Sequence, residues 1–365
     1  MNITLVIEYA GRIRWQQPGP WAHIITQALR DRGHHVRIVA DCLADADLVG
    51  ADDATVRAPH RKRLERHPMR FQRWALKHVA QPSISLSSLV PGTVWCPLDS
   101  SWRDEIVWLT NLRNPATLAM EILHRLWVPP LALAQHKART IGKQTHARLA
   151  RLGCLADPIA HPLGFTSALD PKSIAPDARA HIRSTLGIAP NALVVAISCT
   201  HTDRPGLHAF LDGWRHFTHA HPGVLLIVGR KAALIDRTLR ARGVADTVRM
   251  LGQTERPELF FAAADVAAAW STHRSESSTG RFIADALAMH TPILTTHAAG
   301  GAELVRRYPG VGIVLNEPTI EAWSRTLTQS SSQSWQQEAR TQAQSMAYEL
   351  DPARLGLALE KLLLG

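Results

Sequence analysis

The second half of the chain alternates short apolar runs with segments of helical spacing. The runs are four to seven residues long and cover residues 192–198, 224–228, 248–251, 266–270 and 292–296. In the segments between them, apolar residues recur every three or four positions, as they do along one face of an amphipathic helix. Strands that alternate with helices in this way predict a doubly wound parallel sheet.

The first forty residues carry the same pattern. Residues 3–9 are nearly all apolar, as expected of a strand that is buried on both faces. A loop with Gly19 follows, then a helical segment over 21–30 that stops at Gly33, and then a second apolar run over 35–40. This order forms a βαβ unit, so the first half also predicts a parallel sheet.

The length of the chain and one break in its pattern predict two domains. A chain of 365 residues is too long for one ordinary core. The alternation breaks over 161–176, which we interpret as the interdomain linker. We therefore predict an α/β protein with two Rossmann-like, doubly wound domains, at 1–168 and 169–335, and a ligand cleft between them. Residues 336–365 are predicted to form a C-terminal helix able to pack back on the first domain.

Charge and cysteine content narrow the class of protein further. The four cysteines are far apart and lack metal-ligand or redox spacing, which predicts reduced thiols. No apolar run approaches the roughly 20 residues of a membrane-spanning helix, and the first residues resemble a strand rather than a signal peptide. We therefore expect a cytoplasmic protein. The net charge of +10 favours an acidic partner, which could be nucleic acid, an anionic membrane or a phosphorylated substrate.

Three segments are predicted to lie where a doubly wound sheet binds ligands, between the end of a strand and the start of a helix. The first is the loop that contains Gly19, and the second is the turn that contains Arg204. Gly19 would let the backbone approach a phosphate, and Arg204 could bind phosphate oxygens through two parallel hydrogen bonds. An ordinary turn would account for either segment equally well.

The third segment precedes and enters the helix predicted over 280–290. Its hydroxyl groups, its glycine and Arg281 suit a diphosphate, whereas Glu276 or Asp285 could accept hydrogen bonds from sugar or ribose hydroxyls. A capped helix with a serine as N-cap would explain the same residues. The predicted donor-binding residues of this segment are Ser277, Ser278, Thr279, Gly280, Arg281 and Asp285.

Four stretches together resemble a known family. They are residues 32–36 (Arg-Gly-His-His-Val), 161–164 (His-Pro-Leu-Gly), 260–266 (Phe-Phe-Ala-Ala-Ala-Asp-Val) and 285–296. The chain resembles the GT-B glycosyltransferases of the large retaining family 4 and, within it, the bacterial lipopolysaccharide-core glucosyltransferases. The resemblance implies two Rossmann-like domains, transfer with retention at the anomeric carbon, and no metal ion or other cofactor.

The resemblance also implies catalytic residues. Residues 90–99 are similar to a strand that ends in an aspartate near the acceptor, which assigns that role to Asp99. The family has two glutamates separated by seven residues; here Ser277 and Asp285 occupy these positions, and Glu276, adjacent to the first, is expected to take its catalytic role. The family also has Lys-Gly where this chain has Pro-Gly, so Arg204 is expected to replace the missing cation. The cations that could assist it are Arg230, Lys231 and Arg281.

By this resemblance the donor is a nucleotide sugar, UDP-linked, and the acceptor is a lipopolysaccharide core or a related glycolipid or glycan. Two alternatives remain open from the sequence. One is a GT-B enzyme with another acceptor, such as a phospholipid, a protein or a small metabolite. The other is a degenerate GT-B protein that binds a nucleotide or a partner without catalysis, because the glutamate and lysine positions are altered.

A densely basic stretch with interleaved aromatic residues covers positions 61–77. Such a segment suits the interface of an anionic membrane. The resemblance implies the inner face, because related transferases act on lipid-linked acceptors there, so we expect peripheral binding to the inner face of the membrane. A solvated charged face is the simpler alternative. Nucleic acid is not the expected partner, since no known nucleic-acid-binding module accompanies the charge. The predicted membrane-facing residues are Arg61, Lys62, Arg63, Arg66, Arg70, Arg73, Trp74 and Lys77.

Overall fold

The fold was analysed in a computed structural model of the full chain. The structure describes residues 1–10, 19–43, 54–56, 74–75, 77–85, 94–95, 138–140, 156–158, 166–167, 169–198, 204–229, 232–252, 254, 256–271 and 277–364.

The chain forms two compact units. The first contains Met1–Gly164 together with Pro352–Gly365, and the second contains Phe165–Asp351. The sequence placed the first division at 168/169, four residues later. It placed the second at 335/336, whereas the chain returns to the first unit at Pro352. The helical tail is thus divided, because Pro352 interrupts it and starts a new helix.

The first unit contains a seven-stranded parallel sheet of order β3-β2-β1-β4-β5-β6-β7. Its described elements are β1 (Asn2–Ala10), α1 (Gly19–Arg30), β2 (His35–Leu43), β3 (Ala54–Val56), β4 (Ser83–Ser85), β5 (Val94–Trp95), β6 (Ala138–Thr140) and β7 (Ala156–Pro158). Residues 116–152 have apolar residues at helical spacing, which predicts helix throughout. This prediction is wrong at Ala138–Thr140, which form a strand.

Strand β1 is an interior strand of this sheet, with β2 and β4 on either side. Ile3, Leu5 and Ile7 pack against α1 on one face, while Val6 contacts Val39 on the other. This agrees with the nearly continuous apolar run of the sequence, since a central strand of a parallel sheet is covered on both sides.

The last helix belongs to the first unit. It covers Pro352–Leu364 and packs on α1, where a Cβ added to Gly356 would lie 2.6 Å from the carbonyl oxygen of Ala28. At the edge of this contact, the carboxylate of Glu360 accepts hydrogen bonds from the guanidinium of Arg32. The distance from Nε of Arg32 to Oε2 of Glu360 is 2.7 Å. Glycine at position 356 therefore permits the close approach of the two helices.

The second unit contains a six-stranded parallel sheet of order β10-β9-β8-β11-β12-β13. This is the 3-2-1-4-5-6 order of the Rossmann fold. Its strands are β8 (Leu193–Ser198), β9 (Gly223–Val228), β10 (Val248–Gly252), β11 (Val266–Ala269), β12 (Ile293–Thr296) and β13 (Gly312–Leu315). Its α-helices are α2 (Ala178–Thr185), α3 (Arg204–Thr218), α4 (Ala232–Ala241), α5 (Pro257–Ala263), α6 (Ser277–Ala288), α7 (Ala302–Arg307), α8 (Ile320–Ser330) and α9 (Gln333–Met346), so the last helix of the chain is α10.

The core of the second unit is aromatic on one face of the sheet. Phe210 of α3 lies between two tryptophans, stacked on Trp270 with ring centroids 4.7 Å apart and edge-on to Trp323 at 5.0 Å. Helix α8 approaches α3 closely at Gly213, where an added Cβ would lie only 2.5 Å from Cβ of Trp323. The predicted strands and helices between 192 and 296 are confirmed, whereas β13 and helices α2, α7 and α8 were not predicted.

Candidate functional site

The second sheet has a switch point between its neighbouring strands β8 and β11. From β8 the strand order runs outward in one direction through β9 and β10, and from β11 in the other through β12 and β13. In open α/β sheets, ligands bind outside the carboxyl ends of the strands at such a point. Helix α6 is the first described element after β11, and α3 is the first after β8, so both begin on this side of the sheet.

Helix α6 begins at Ser277, three residues earlier than the sequence predicted. The candidate hydroxyl residues Ser277, Ser278 and Thr279 therefore belong to its first turn rather than to the loop before it. The first N–H groups of a helix have no partner within the helix, and its dipole favours negative charge at this end. The backbone of the first turn is thus suited to bind an anion.

A glycine loop after β12 packs against this first turn. The hydroxyl oxygen of Thr279 accepts a hydrogen bond of 2.8 Å from the N–H of Gly300. The next residue, Gly301, has a φ of +86°, and a Cβ at this position would lie only 3.1 Å from Cα of Gly280. Thr279 is 2% exposed, so its side chain fixes the loop to the helix. The site predicted from the sequence did not include this loop.

Arg281 and Asp285 form a buried ion pair inside the second unit. Nε–H of Arg281 donates to both carboxylate oxygens of Asp285, at 3.1 and 3.0 Å. The hydroxyl of Ser167 donates to the same carboxylate at 2.6 Å. Arg281 is 6% exposed and Asp285 is 0% exposed. The sequence expectation is that both side chains contact the donor; in this structure Nε of Arg281 and the carboxylate of Asp285 are buried and bonded within the protein.

The other candidate residues are described in part. Gly19 and Arg204 are the first residues of α1 and α3, and the side chain of Arg204 lies outside the described part, as do those of Ser277 and Ser278. The remaining candidates fall outside the described residues, namely Asp99, Arg230, Lys231 and Glu276, and in the basic segment Arg61, Lys62, Arg63, Arg66, Arg70 and Arg73.

Two residues of the predicted membrane segment are described. Lys77 is exposed. Trp74 is half-buried and packs against the cluster of Val6, Val39 and Ala75, so part of its ring contributes to the core of the first unit. That the exposed part of this ring faces a membrane stays a prediction. None of the helices that the structure describes is long and apolar enough to cross a membrane.

A cluster of arginines surrounds Asp265 near the amino end of β11. The guanidinium groups of Arg179 and Arg183 contact its carboxylate, and both also donate to the last carbonyl groups of α5. Arg340 donates to the carbonyl oxygen of Ala264 at 2.7 Å, and burial lowers the pKa of its guanidinium to about 10. The carboxylate of Asp265 also accepts a hydrogen bond from the N–H of Val194, at the start of β8. The cluster therefore lies at the amino ends of the strands, opposite the candidate site, and it stabilises the sheet.

Comparisons with known proteins agree with this geometry. Residues 191–331 match the model of the family described as "Glycosyl transferases group 1". WaaG, a glycosyltransferase involved in lipopolysaccharide biosynthesis, is similar in structure, with a TM-score of 0.74 at 15% identity over 97% of this chain and 98% of that chain. Anabaena Alr3699/HepE in complex with UDP and glucose matches with a TM-score of 0.72 at 15% identity, over 100% and 99% of the two chains.

The chain has the GT-B fold. A glycosyltransferase from Rickettsia africae shares this GT-B architecture, with a TM-score of 0.69 at 11% identity over 100% of this chain and 98% of that chain. No curated protein matches the chain in sequence. The predicted resemblance to GT-B glycosyltransferases is confirmed, and the family match covers the part of the second unit in which α6 and its glycine loop lie. Among the described residues, no three histidine, cysteine, aspartate or glutamate side chains group as a metal site would require.

Proposed function

We propose that the chain is a glycosyltransferase that moves a sugar from a UDP-linked donor to a lipopolysaccharide-core or related surface-glycan acceptor, with retention at the anomeric carbon. One observation carries the proposal: the first turn of α6 begins on the carboxyl side of the sheet, next to the switch point, within the region that matches glycosyltransferases of group 1. The UDP bound in HepE and the lipopolysaccharide role of WaaG support the choice of donor and acceptor.

The chemistry requires stabilisation of a leaving diphosphate. Departure of UDP builds negative charge on phosphate oxygens, and the backbone N–H groups of the first turn of α6 would stabilise it together with the helix dipole. Preorganised groups of this kind are usually the largest contribution to catalysis. In the proposal, Arg204 at the start of α3 supplies a cation, Arg230 and Lys231 assist it, and Asp99 acts near the acceptor.

Donor hydrolysis without acceptor tests this proposal. We expect the protein to release UDP slowly from one or more UDP-sugars and Arg204→Ala to abolish the release. Addition of EDTA should leave the rate unchanged, since the proposed reaction uses no metal ion. A matched control is Arg237→Ala, an exposed arginine of α4, which should behave as wild type. Failure of every UDP-sugar to bind or react would contradict the proposal.

The choice of nucleotide can be tested before activity is known. A ligand that binds only the native state raises its unfolding temperature according to concentration and affinity. We expect UDP and a UDP-sugar to raise the midpoint, and GDP and ADP at the same concentration to raise it less. Equal shifts with all three diphosphates would remove the preference for uridine from the proposal.

A non-catalytic GT-B protein is the second candidate, and the inward position of Asp285 favours it. In this chain the carboxylate at the second glutamate position is 0% exposed and bonded to Arg281 and Ser167. Binding of UDP-sugar without release of UDP, in the presence of a range of glycan acceptors, would support this function over the enzyme.

The basic segment supports a proposal about location. We expect residues 61–77 to bind the protein to the inner face of an anionic membrane through their lysines and arginines. Co-sedimentation with vesicles that contain phosphatidylglycerol should be strong, and it should be weak with phosphatidylcholine alone. Replacement of Arg61, Lys62 and Arg63 by glutamine should reduce it. Equal sedimentation of the variant and the wild type would contradict this role.

A further inference from the structure

Ser167 lies where the chain enters the second unit. The second unit starts at Phe165 and ends at Asp351, so Ser167 is near its beginning and Leu350 is next to its end. The backbone N–H of Ser167 donates a hydrogen bond of 3.0 Å to the carbonyl oxygen of Leu350. The two segments by which the chain enters and leaves the second unit are therefore bonded to each other.

The side chain of the same serine extends this connection to α6. Its hydroxyl donates to Oδ1 of Asp285 at 2.6 Å and accepts from the N–H of Leu169 at 3.1 Å. A hydroxyl–carboxylate bond of this length is charge-assisted and among the stronger hydrogen bonds of proteins. Ser167 is 3% exposed, so water does not compete readily for the bond.

Asp285 in turn is fixed to its own helix. It lies about two turns after the start of α6 at Ser277, and Arg281, one turn earlier, donates to both of its oxygens at 3.1 and 3.0 Å. A ribose hydroxyl could approach this carboxylate only if Ser167 or Arg281 withdrew. The contacts thus orient α6 and leave no open face of Asp285 toward a ligand.

We propose that Asp285 and Ser167 are positioning residues. Together they hold α6, and with it the N–H groups of its first turn, in a fixed orientation to the segments by which the chain enters and leaves the second unit. In this role Asp285 does not contact the donor. The inference rests on the proposed function, because it requires that the first turn of α6 binds the donor diphosphate.

Affinities for UDP and for its 2′-deoxy and 3′-deoxy analogues test this role. A carboxylate that accepts a ribose hydroxyl would favour UDP, and Asp285→Asn would remove that preference. If Asp285 is a positioning residue, we expect another result. Asp285→Asn and Ser167→Ala should both lower the affinity for UDP, and the ratio of the affinities for UDP and each analogue should stay as in wild type. We expect weakening of about tenfold, close to the lower end of what one charge-assisted hydrogen bond contributes.

The measurements use calorimetric titration well below the unfolding temperature, so that loss of affinity does not arise from unfolded protein. Ser173→Ala is the matched control, because this exposed serine of the same unit donates to a backbone carbonyl, and we expect wild-type affinity. If Asp285→Asn does not fold, Ser167→Ala alone decides the matter. Unchanged UDP affinity in Ser167→Ala would overturn the positioning role.

The two proposals fail in different ways. If wild-type protein does not bind UDP, the proposed function is overturned and the positioning role with it. If wild-type protein binds UDP and Asp285→Asn abolishes discrimination against a deoxy analogue, only the positioning role is overturned. If both variants bind UDP more weakly and keep the wild-type ratio of affinities for UDP and its deoxy analogues, the result supports both proposals.

Discussion

The close contact between the glycine loop and the first turn of α6 makes a quantitative prediction for Gly301→Ala. Gly301 has a φ of +86°, a conformation that costs an L-residue roughly 1–2 kcal/mol. In addition, the new Cβ would lie 3.1 Å from Cα of Gly280 and 3.1 Å from Cδ1 of Ile283. Crowding of this kind adds about 1–3 kcal/mol when a backbone must shift.

Gly243→Ala separates the two contributions. Gly243 has a similar φ of +67°, but a Cβ there would meet nothing within 4 Å. The free energy of unfolding should therefore fall by about 1–2 kcal/mol in Gly243→Ala and by a further ~2 kcal/mol in Gly301→Ala. For a domain of this size the extra loss corresponds to a melting temperature lower by roughly 4–8 °C.

Differential scanning calorimetry of the two variants and the wild type is the assay, followed by UDP titration. Gly301→Ala should also weaken UDP, because the first turn of α6 must move to accept the methyl group, whereas Gly243→Ala should bind UDP as wild type does. Equal melting temperatures for the two variants would refute the argument that close packing between the loop and Gly280 determines the position of the helix.

Three further predictions concern stability. Gly356→Ala should lower the urea midpoint of unfolding although alanine is the better helix former, because its Cβ would lie 2.6 Å from the carbonyl oxygen of Ala28. The control Leu357→Ala, at an exposed neighbouring position, should change the midpoint little. A larger effect of Leu357→Ala than of Gly356→Ala would contradict this packing. Asp265→Asn should cost roughly 1–3 kcal/mol, since it removes the buried carboxylate that the partly exposed guanidinium groups of Arg179 and Arg183 contact. A loss below about 1 kcal/mol in urea unfolding would be inconsistent with the cluster. Burial, followed by the charge of a nearby arginine, lowers the pKa of His290, so the unfolded chain takes up its proton first as pH falls. Stability should therefore decrease from about pH 6.5 down to the lowered pKa, and His290→Asn should flatten this part of the pH profile; an unchanged profile would argue against it.

The alternation of apolar runs and helical segments was enough to predict the two parallel sheets. Strands β8, β9, β11 and β12 are buried along almost their whole length, and this is visible in the apolar runs of the chain. Strand β6 was missed because three residues carry no periodicity of their own. The C-terminal helical tail is interrupted before Pro352, and a proline at this point in the sequence is a visible signal of such an interruption.

The candidate site was predictable in its location and less so in its side chains. The spacing of Arg281 and Asp285, four residues apart on a helix, was a visible sign of an ion pair. The contact that buries the pair joins Asp285 to Ser167, 118 residues earlier in the chain, and no local pattern reveals such a contact. The same holds for Gly301, whose importance follows from its approach to Gly280.

The central claim is that the first turn of α6 binds the diphosphate of the donor. A crystal structure of the protein with UDP tests it most directly. We expect phosphate oxygens within hydrogen-bonding distance of the backbone N–H groups of residues 277–280, with the carboxylate of Asp285 still bonded to Ser167. A structure in which UDP is bound elsewhere, with no phosphate oxygen near this turn, would contradict the account.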